Sequence, residues 1–346
     1  MVEKNKWIPF GKSVMGASHS RRNPPYNINQ DSLQVYQGVM TISEQKSGMT
    51  PTIAAVSDGH GSNKYIRSNM GSKFAVEVIT DEAKKMLQSK DYFSSSVRLD
   101  DLLASTAHIK ARFLMCWQNE VDKHYKAFPF TDDEKHFLKE NCSEKDYNSI
   151  IDDSDESLNH RIAYGCTFLA AIAYPDVIII LQYGDGDVLG LYENGNVSEI
   201  IEPDPQNFGN QTLSLCTLRD SSEIQHRVLI KDEIPILITL STDGVKNSFD
   251  DTKVFYKISK DIKTLLEKSD TIALSEHSSH LPPLRSGRCA WVSQEPCLQS
   301  ASTEVPGFRN RYKSVEGILE KELQRITTNG SGDDVTLGVL FDNERI

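Results

Sequence analysis

This 346-residue sequence has little that reads as a membrane span: the apolar run Val177–Leu181 falls far short of the roughly 20 residues a helix needs to cross a bilayer. The opening stretch, Met1–Gly16, has no apolar segment of the length a secretory signal uses, so a cytoplasmic protein is expected. Cysteine is scarce and scattered. The six residues Cys116, Cys142, Cys166, Cys216, Cys289 and Cys297 form no C-x-x-C pair, which removes zinc-ribbon and thioredoxin-like readings and leaves reduced, buried thiols. Basic clusters are missing too, none being longer than Arg21-Arg22. Lys plus Arg number 38 against 49 for Asp plus Glu, giving a net charge of -11, which argues against sequence-independent binding to nucleic acid phosphates or anionic lipid. No internal repeat of fixed period is present, and 20 Gly and 13 Pro exclude collagen-like and low-complexity chains.

What is there is an ordinary globular composition, 38% hydrophobic and 25% charged, long enough for a sizeable core. Short β-rich runs separated by turn residues predict strands at Leu33–Tyr36, Thr52–Val56, Thr167–Tyr174, Val177–Tyr183, Val188–Tyr192, Val197–Ile201, Ile236–Leu240 and Val335–Phe341. The linkers inside 174–197 are short enough for hairpins, so that stretch reads as an antiparallel meander. Helical spacing appears at Met70–Ile79 and Leu99–Trp117, and again at Val254–Leu266 and Val315–Ile326, the last with Ser314 placed to cap it and Gly330 past its end. Two segments, 127–161 and 275–311, fit neither pattern and read as insertions or long loops on one domain. The acidic run Asp152–Glu156 lacks the spacing of a calcium loop and reads as a solvated face.

The informative feature is where acids sit relative to strands. Thr52–Val56 runs into Ser57-Asp58-Gly59-His60-Gly61, and Ile236–Leu240 runs into Ser241-Thr242-Asp243-Gly244. In the reverse order, Gly332-Asp333-Asp334 leads into Val335–Phe341, and Asn29-Gln30-Asp31 leads into Ser32–Tyr36. Any one Asp-Gly is good turn chemistry. Four carboxylates at strand ends, with glycine alongside for close backbone approach, could converge at one rim of a sheet, and oxygen-only ligands of that kind suit Mg²⁺ or Mn²⁺ rather than zinc.

At this point the chain resembles the metal-dependent Ser/Thr protein phosphatases of type 2C, in their bacterial form. The matching elements occur in family order: Asn29-Gln30-Asp31, Asp58-Gly59-His60-Gly61, Gly165-Cys166-Thr167, Gly184-Asp185-Gly186, Ser241-Thr242-Asp243-Gly244 and Asp333-Asp334-Val335-Thr336. The resemblance implies an α+β fold, a four-layer αββα sandwich of two antiparallel β-sheets flanked by helix pairs. It implies a single catalytic domain over residues 1–346 carrying the two insertions. It further implies a centre of two Mn²⁺ or Mg²⁺ ions that activates a bridging water, with Asp58 bridging, the Gly59 carbonyl on one ion, and Asp243 and Asp333 on the other. Asp31 would hold metal-bound water, and His60 would protonate the departing Ser/Thr alkoxide, its reference pKa of about 6.5 suiting neutral pH. Asp185 is a site for a third cation or a turn residue.

The family's phosphate-gripping arginine precedes the first motif, and Arg21 and Arg22 are the candidates, although Asn23–Asn29 lengthens the spacing to Asp31. Either could equally be a surface arginine, and His19 reads as a structural or surface histidine. The sequence departs from the family's usual residues at Gln30, Cys166 and Asp334 without losing an implied ligand; Cys166 reads as a small buried residue. The expected activity is hydrolysis of phosphoserine and phosphothreonine on a phosphorylated protein, in the company of a cognate Ser/Thr kinase or its targets, with no nucleic acid or membrane partner. Two alternatives stay open, an inactive binding module on the same fold and a phosphatase of a small phosphorylated metabolite. The segments Asp204–Asp220 and Ser275–Arg311 are where substrate access and partner choice would differ.

Overall fold

Phe168–Tyr174 and Val177–Tyr183 are buried at every position, which a strand achieves only when both faces of its sheet are covered. The computed structural model describes residues 2–21, 27–42, 47–86, 99–151, 159–202, 213–274 and 309–346. In chain order its strands are β1 Val2–Lys4, β2 Trp7–Val14, β3 Ser32–Tyr36, β4 Val39–Ile42, β5 Ser47–Met49, β6 Thr52–Ser57, β7 Phe168–Tyr174, β8 Val177–Tyr183, β9 Asp187–Leu191, β10 Val197–Glu199, β11 Gln225–Ile230, β12 Leu237–Ser241 and β13 Val335–Asp342. The helices are α1 Ser68–Met86, α2 Leu99–Ala127, α3 Asp132–Asn141, α4 Glu144–Ile151, α5 Asp243–Lys246, α6 Thr252–Leu274 and α7 Arg309–Asn329.

Two five-stranded antiparallel sheets result, one ordered β11-β8-β7-β6-β3 and the other β10-β9-β12-β13-β2, with a small sheet β1-β4-β5 beside them. Residue parity shows the layering. Ala54, Val56, Leu169, Ala171, Ile178 and Ile180 of the first sheet meet Val188, Ile238, Leu240 and Leu340 of the second in a middle core. Their neighbours Ile53, Ala55, Phe168, Ile172, Ile179 and Leu181 face the opposite way, onto Ile79, Phe113 and Trp117 of α1 and α2. On the far side, Leu189, Leu237, Val339 and Phe341 pack against Phe255, Ile262, Leu319 and Leu323 of α6 and α7. The order is therefore helices, sheet, sheet, helices, the expected four-layer α+β sandwich. Phe113 stacks on Phe168 at 4.1 Å between ring centroids, and the Trp117 indole N–H donates to the Gly71 carbonyl at 3.0 Å, joining α2 to α1.

Several expectations change. The meander is broken once: β7 pairs with β8 and β9 with β10, but β8 and β9 lie in different sheets, so Gly184-Asp185-Gly186 is a crossover rather than a hairpin. Gly184 makes that turn with φ +120°, and a Cβ there would stand 2.5 Å from the Thr167 side chain. The segment 127–161, expected as a loop, holds α3 and α4; its acidic run falls in 152–158, outside the described residues. Residues 275–308 also lie outside them. Helix α7 begins at Arg309, so Ser314 sits inside it rather than capping it, while Gly330 does follow its end. Five strands were not among those expected: the short β1, β4 and β5 of the small sheet, β2, which carries Pro9 at a sheet edge where a missing N–H is tolerated, and β11, the exposed edge of the other sheet. No helix among the described residues is long and apolar enough to cross a membrane.

Candidate metal centre

Strand β6 continues beyond Ser57 as an extended segment. Asp58 N–H donates to Thr167 Oγ1 at 3.1 Å, Thr167 N–H donates to the Asp58 carbonyl at 2.8 Å, and His60 N–H donates to the Gly165 carbonyl at 3.1 Å. Gly59 bridges to Cys166, and a Cβ at Gly59 would meet the Gln30 carbonyl oxygen at 2.5 Å, so only glycine fits between the two chains. Ser32 pairs with Ser57, which sets Asp31 beside Asp58 at one end of the first sheet.

The second sheet supplies the facing acids. In β12, Ser241 pairs with Asp187 and Leu337, so Asp243, the Gly184–Gly186 crossover and Asp333 gather at the corresponding rim. Thr242 knits them together: its backbone N–H donates to the Thr336 carbonyl, its Oγ1 accepts the Thr336 N–H, and its hydroxyl donates to Asp31 Oδ2 at 2.8 Å. One carboxylate oxygen from each of Asp58, Asp185 and Asp243 lies within 4.8 Å of the others. Asp185, expected as a turn residue or the ligand of a separate cation, thus shares one cluster with two of the principal acids.

Asp333 is not part of that trio. Its Oδ1 accepts the Asp334 N–H at 2.9 Å and lies 3.5 Å from His19 Nε2, yet its charge acts on Asp31, Asp58 and Asp243. Arg21 is exposed on a short 3-10 turn, His19–Arg21, and Arg22 lies outside the described residues.

The electrostatics are those of crowded acids. Burial, then the charges of Asp31, Asp243, Asp333 and Asp185, push Asp58 well above the carboxylate range. Asp31 is raised by burial and by Asp334, against hydrogen bonds from Thr242 and Thr336 that lower it. Asp243 is pushed up to about 6 by burial and by Asp185 and Asp333, although hydrogen bonds with Asp58 and Asn247 pull it down. Carboxylates packed this closely fit a hard divalent cation, which supplies the missing positive charge to an all-oxygen donor set.

His60 departs from its expected state. Burial pushes its imidazole down to about 4, outweighing the opposite pull of Asp185, so at neutral pH the ring is uncharged. Its Nε2 is buried without a hydrogen-bond partner among the described residues, and its ring lies 4.8 Å from that of Tyr65. The residues missed from sequence are Thr242, whose contact with Asp31 spans 211 positions, and Asp334, which ties the chain ahead of Asp31 to the start of β13.

A family model described as protein phosphatase 2C matches residues 15–278, a range that holds Asp31, Asp58, Gly59, His60, Asp185 and Asp243 and ends before Asp333. No curated protein matches the chain. Among solved structures, the chain is similar to the catalytic domain of the serine/threonine protein phosphatase PstP in complex with two manganese ions, at 12% identity and TM-score 0.47, covering 99% of each chain. It is also similar to the serine/threonine phosphatase Stp1 from Staphylococcus aureus, at 13% identity and TM-score 0.42, over 97% of this chain and 94% of that one. The Mycobacterium tuberculosis serine/threonine phosphatase PstP/Ppp matches at 12% identity and TM-score 0.43, over 97% and 98%.

Proposed function

The chain belongs to the protein phosphatase 2C family, and from that premise we propose that it is a metal-dependent phosphatase of phosphoserine and phosphothreonine in proteins. The observation that supports this reading is the convergence of Asp58, Asp185 and Asp243 from a strand end, a crossover and a helix start onto one point, within the range the family model matches. Asp58, the Gly59 carbonyl, Asp243 and Asp333 would hold two Mn²⁺ or Mg²⁺ ions, with Asp185 beside Asp58 and Asp243 in place for a third. Such a pair of ions, when bound, supplies a nucleophile at neutral pH and screens the phosphoryl oxygens.

The chain's own residues do the rest. Asp31, anchored by the Thr242 hydroxyl, keeps a hydrogen-bond acceptor behind the centre. His60 is held by its backbone bond to Gly165, close enough to feel the charge of Asp185. Burial favours the imidazole's uncharged form, and the proton for a leaving alkoxide would pass through this ring. Arg21, exposed ahead of the first motif, would be the side chain to grip a substrate phosphate. We assign the whole chain to one catalytic domain, with a phosphoprotein as substrate and a Ser/Thr kinase or its targets as the functional counterpart.

The test is hydrolysis of a phosphothreonine peptide with Mn²⁺, with EDTA, and by Asp58→Asn, alongside an aryl phosphate and a panel of phosphorylated metabolites. Peptide turnover that EDTA stops, and that Asp58→Asn lowers by more than the roughly 10- to 100-fold cost of losing an outer partner, is expected. Turnover confined to a metabolite, or phosphopeptide binding with no metal-dependent turnover in folded protein, contradicts the proposal.

A further inference from the structure

His19 lies outside the acidic cluster and reads from sequence as a structural or surface residue, but it is only 4% exposed. Its ring sits between two consecutive carboxylates. Nδ1 is 2.9 Å from Asp334 Oδ2, close but not aligned as a hydrogen bond, and Nε2 is 3.5 Å from Asp333 Oδ1. A buried histidine spanning one acid proposed as a metal ligand and another that is not is an unusual use of core space.

The two acids are held very differently. Asp334 is fixed, its Oδ1 accepting the Gly16 N–H at 2.6 Å and its Oδ2 the Gln30 N–H at 2.6 Å. The segment carrying His19 is fixed as well. Ser18 N–H donates to the Gly332 carbonyl at 2.8 Å, Ala17 N–H donates to Thr327 Oγ1 at 3.0 Å, and the Thr327 hydroxyl donates to the Asp333 carbonyl at 2.7 Å. The Asp333 side chain, by contrast, is 53% exposed, and the hydrogen bond to its carboxylate comes from the N–H of Asp334. An exposed ligand that must be immobilised loses side-chain entropy when it coordinates, and a rigid neighbour reduces that loss.

The geometry points to His19 as a positioning residue, whose Nε2 orients the Asp333 carboxylate toward the metal centre while Nδ1 rests against the immobile Asp334. This rests on the proposed role of Asp333 as a ligand. The backing comes from residues far apart in sequence, since the turn after β2 reaches across to the turn before β13.

The two ring nitrogens can be tested apart, because an Asn amide nitrogen reaches the place of Nδ1 and a Gln amide nitrogen that of Nε2. We would titrate wild type, His19→Asn, His19→Gln and Asp333→Asn with Mn²⁺ by calorimetry, and compare their thermal midpoints in EDTA. His19→Asn is expected to weaken one Mn²⁺ site by about 10- to 100-fold, and His19→Gln to restore it. His19→Asn binding like wild type, or His19→Gln binding as weakly as His19→Asn, overturns the inference. If Asp333→Asn loses a site while His19→Asn does not, only the positioning role fails; if Asp333→Asn also binds like wild type, the ligand assignment fails beneath it. Should His19→Asn unfold, the imidazole resonances of ¹⁵N-histidine-labelled wild type under Mg²⁺ titration decide: a shift of the His19 signal supports the role, and an unmoved signal overturns it.

Discussion

Asp243 carries a charge that the metal-free fold resists. With its folded pKa pushed up to about 6 from the ordinary aspartate value of 3.8, it takes up a proton more readily folded than unfolded. Its contribution to stability is therefore fully present below the unfolded value and is lost as pH rises through about 6. In EDTA, the wild type minus Asp243→Asn difference in unfolding free energy should fall between pH 4 and pH 7, and saturating Mn²⁺ should abolish or reverse the fall; a pH-independent difference in EDTA would count against this picture. At this scale the sequence was most legible where an acid stood beside glycine at a strand end, as with Asp58 and Asp243. It was least legible for Thr242, His19 and Asp334, whose partners lie hundreds of positions away and leave no local signal. At His60 the sequence supplies only the reference pKa and nothing of the burial that pushes it down to about 4.

Among the elements, Arg67, just before α1, ties the loop that leaves Asp58 to the α2–α3 corner. Its Nε and a terminal nitrogen grip Glu134 at 2.7 and 2.8 Å, and its other terminal nitrogen donates to the Phe128 carbonyl and the Tyr164 hydroxyl. Glu134 in turn closes the capping box of α3, accepting the Thr131 N–H while Thr131 Oγ1 accepts its own. Removing Arg67 takes one donor from the buried Tyr164 hydroxyl, which keeps His124 Nδ1 at 2.7 Å, from the partly buried Phe128 carbonyl, and from the Glu134 carboxylate, which keeps the Thr131 N–H. Arg67→Ala should cost about 2–4 kcal/mol in urea unfolding, and Arg67→Lys, which cannot fork, should recover less than half. A loss below about 1 kcal/mol would mean that solvent replaces the clamp. The box itself, Thr131-Asp132-Asp133-Glu134, is a helix-start signal present in the sequence, obscured by the charge density around it. The β8–β9 crossover was not readable, because a Gly-Asp-Gly turn looks the same whether it joins paired strands or strands of two stacked sheets.

At the scale of the whole molecule, the four-layer order was legible through the resemblance to the type 2C phosphatases and not from periodicity, because strands with no polar face show in sequence only as apolar runs. Sheet membership was not, since it is decided by which runs stack and not by their composition. The candidate centre lies where this arrangement brings the two sheets' ends together: Asp31 and Asp58 come from one sheet, Asp243 and Asp333 adjoin the other, and Asp185 rides the chain that passes between them. A cation bound there would join both halves of the sandwich and offset the cost of burying these carboxylates together. The most direct test is anomalous diffraction at the manganese edge from crystals grown with Mn²⁺. The account predicts two peaks about 3.5 to 4 Å apart, with Asp58 contacting both and Asp243 at least one. Manganese bound elsewhere, or a cluster that stays empty at saturating Mn²⁺, would contradict it.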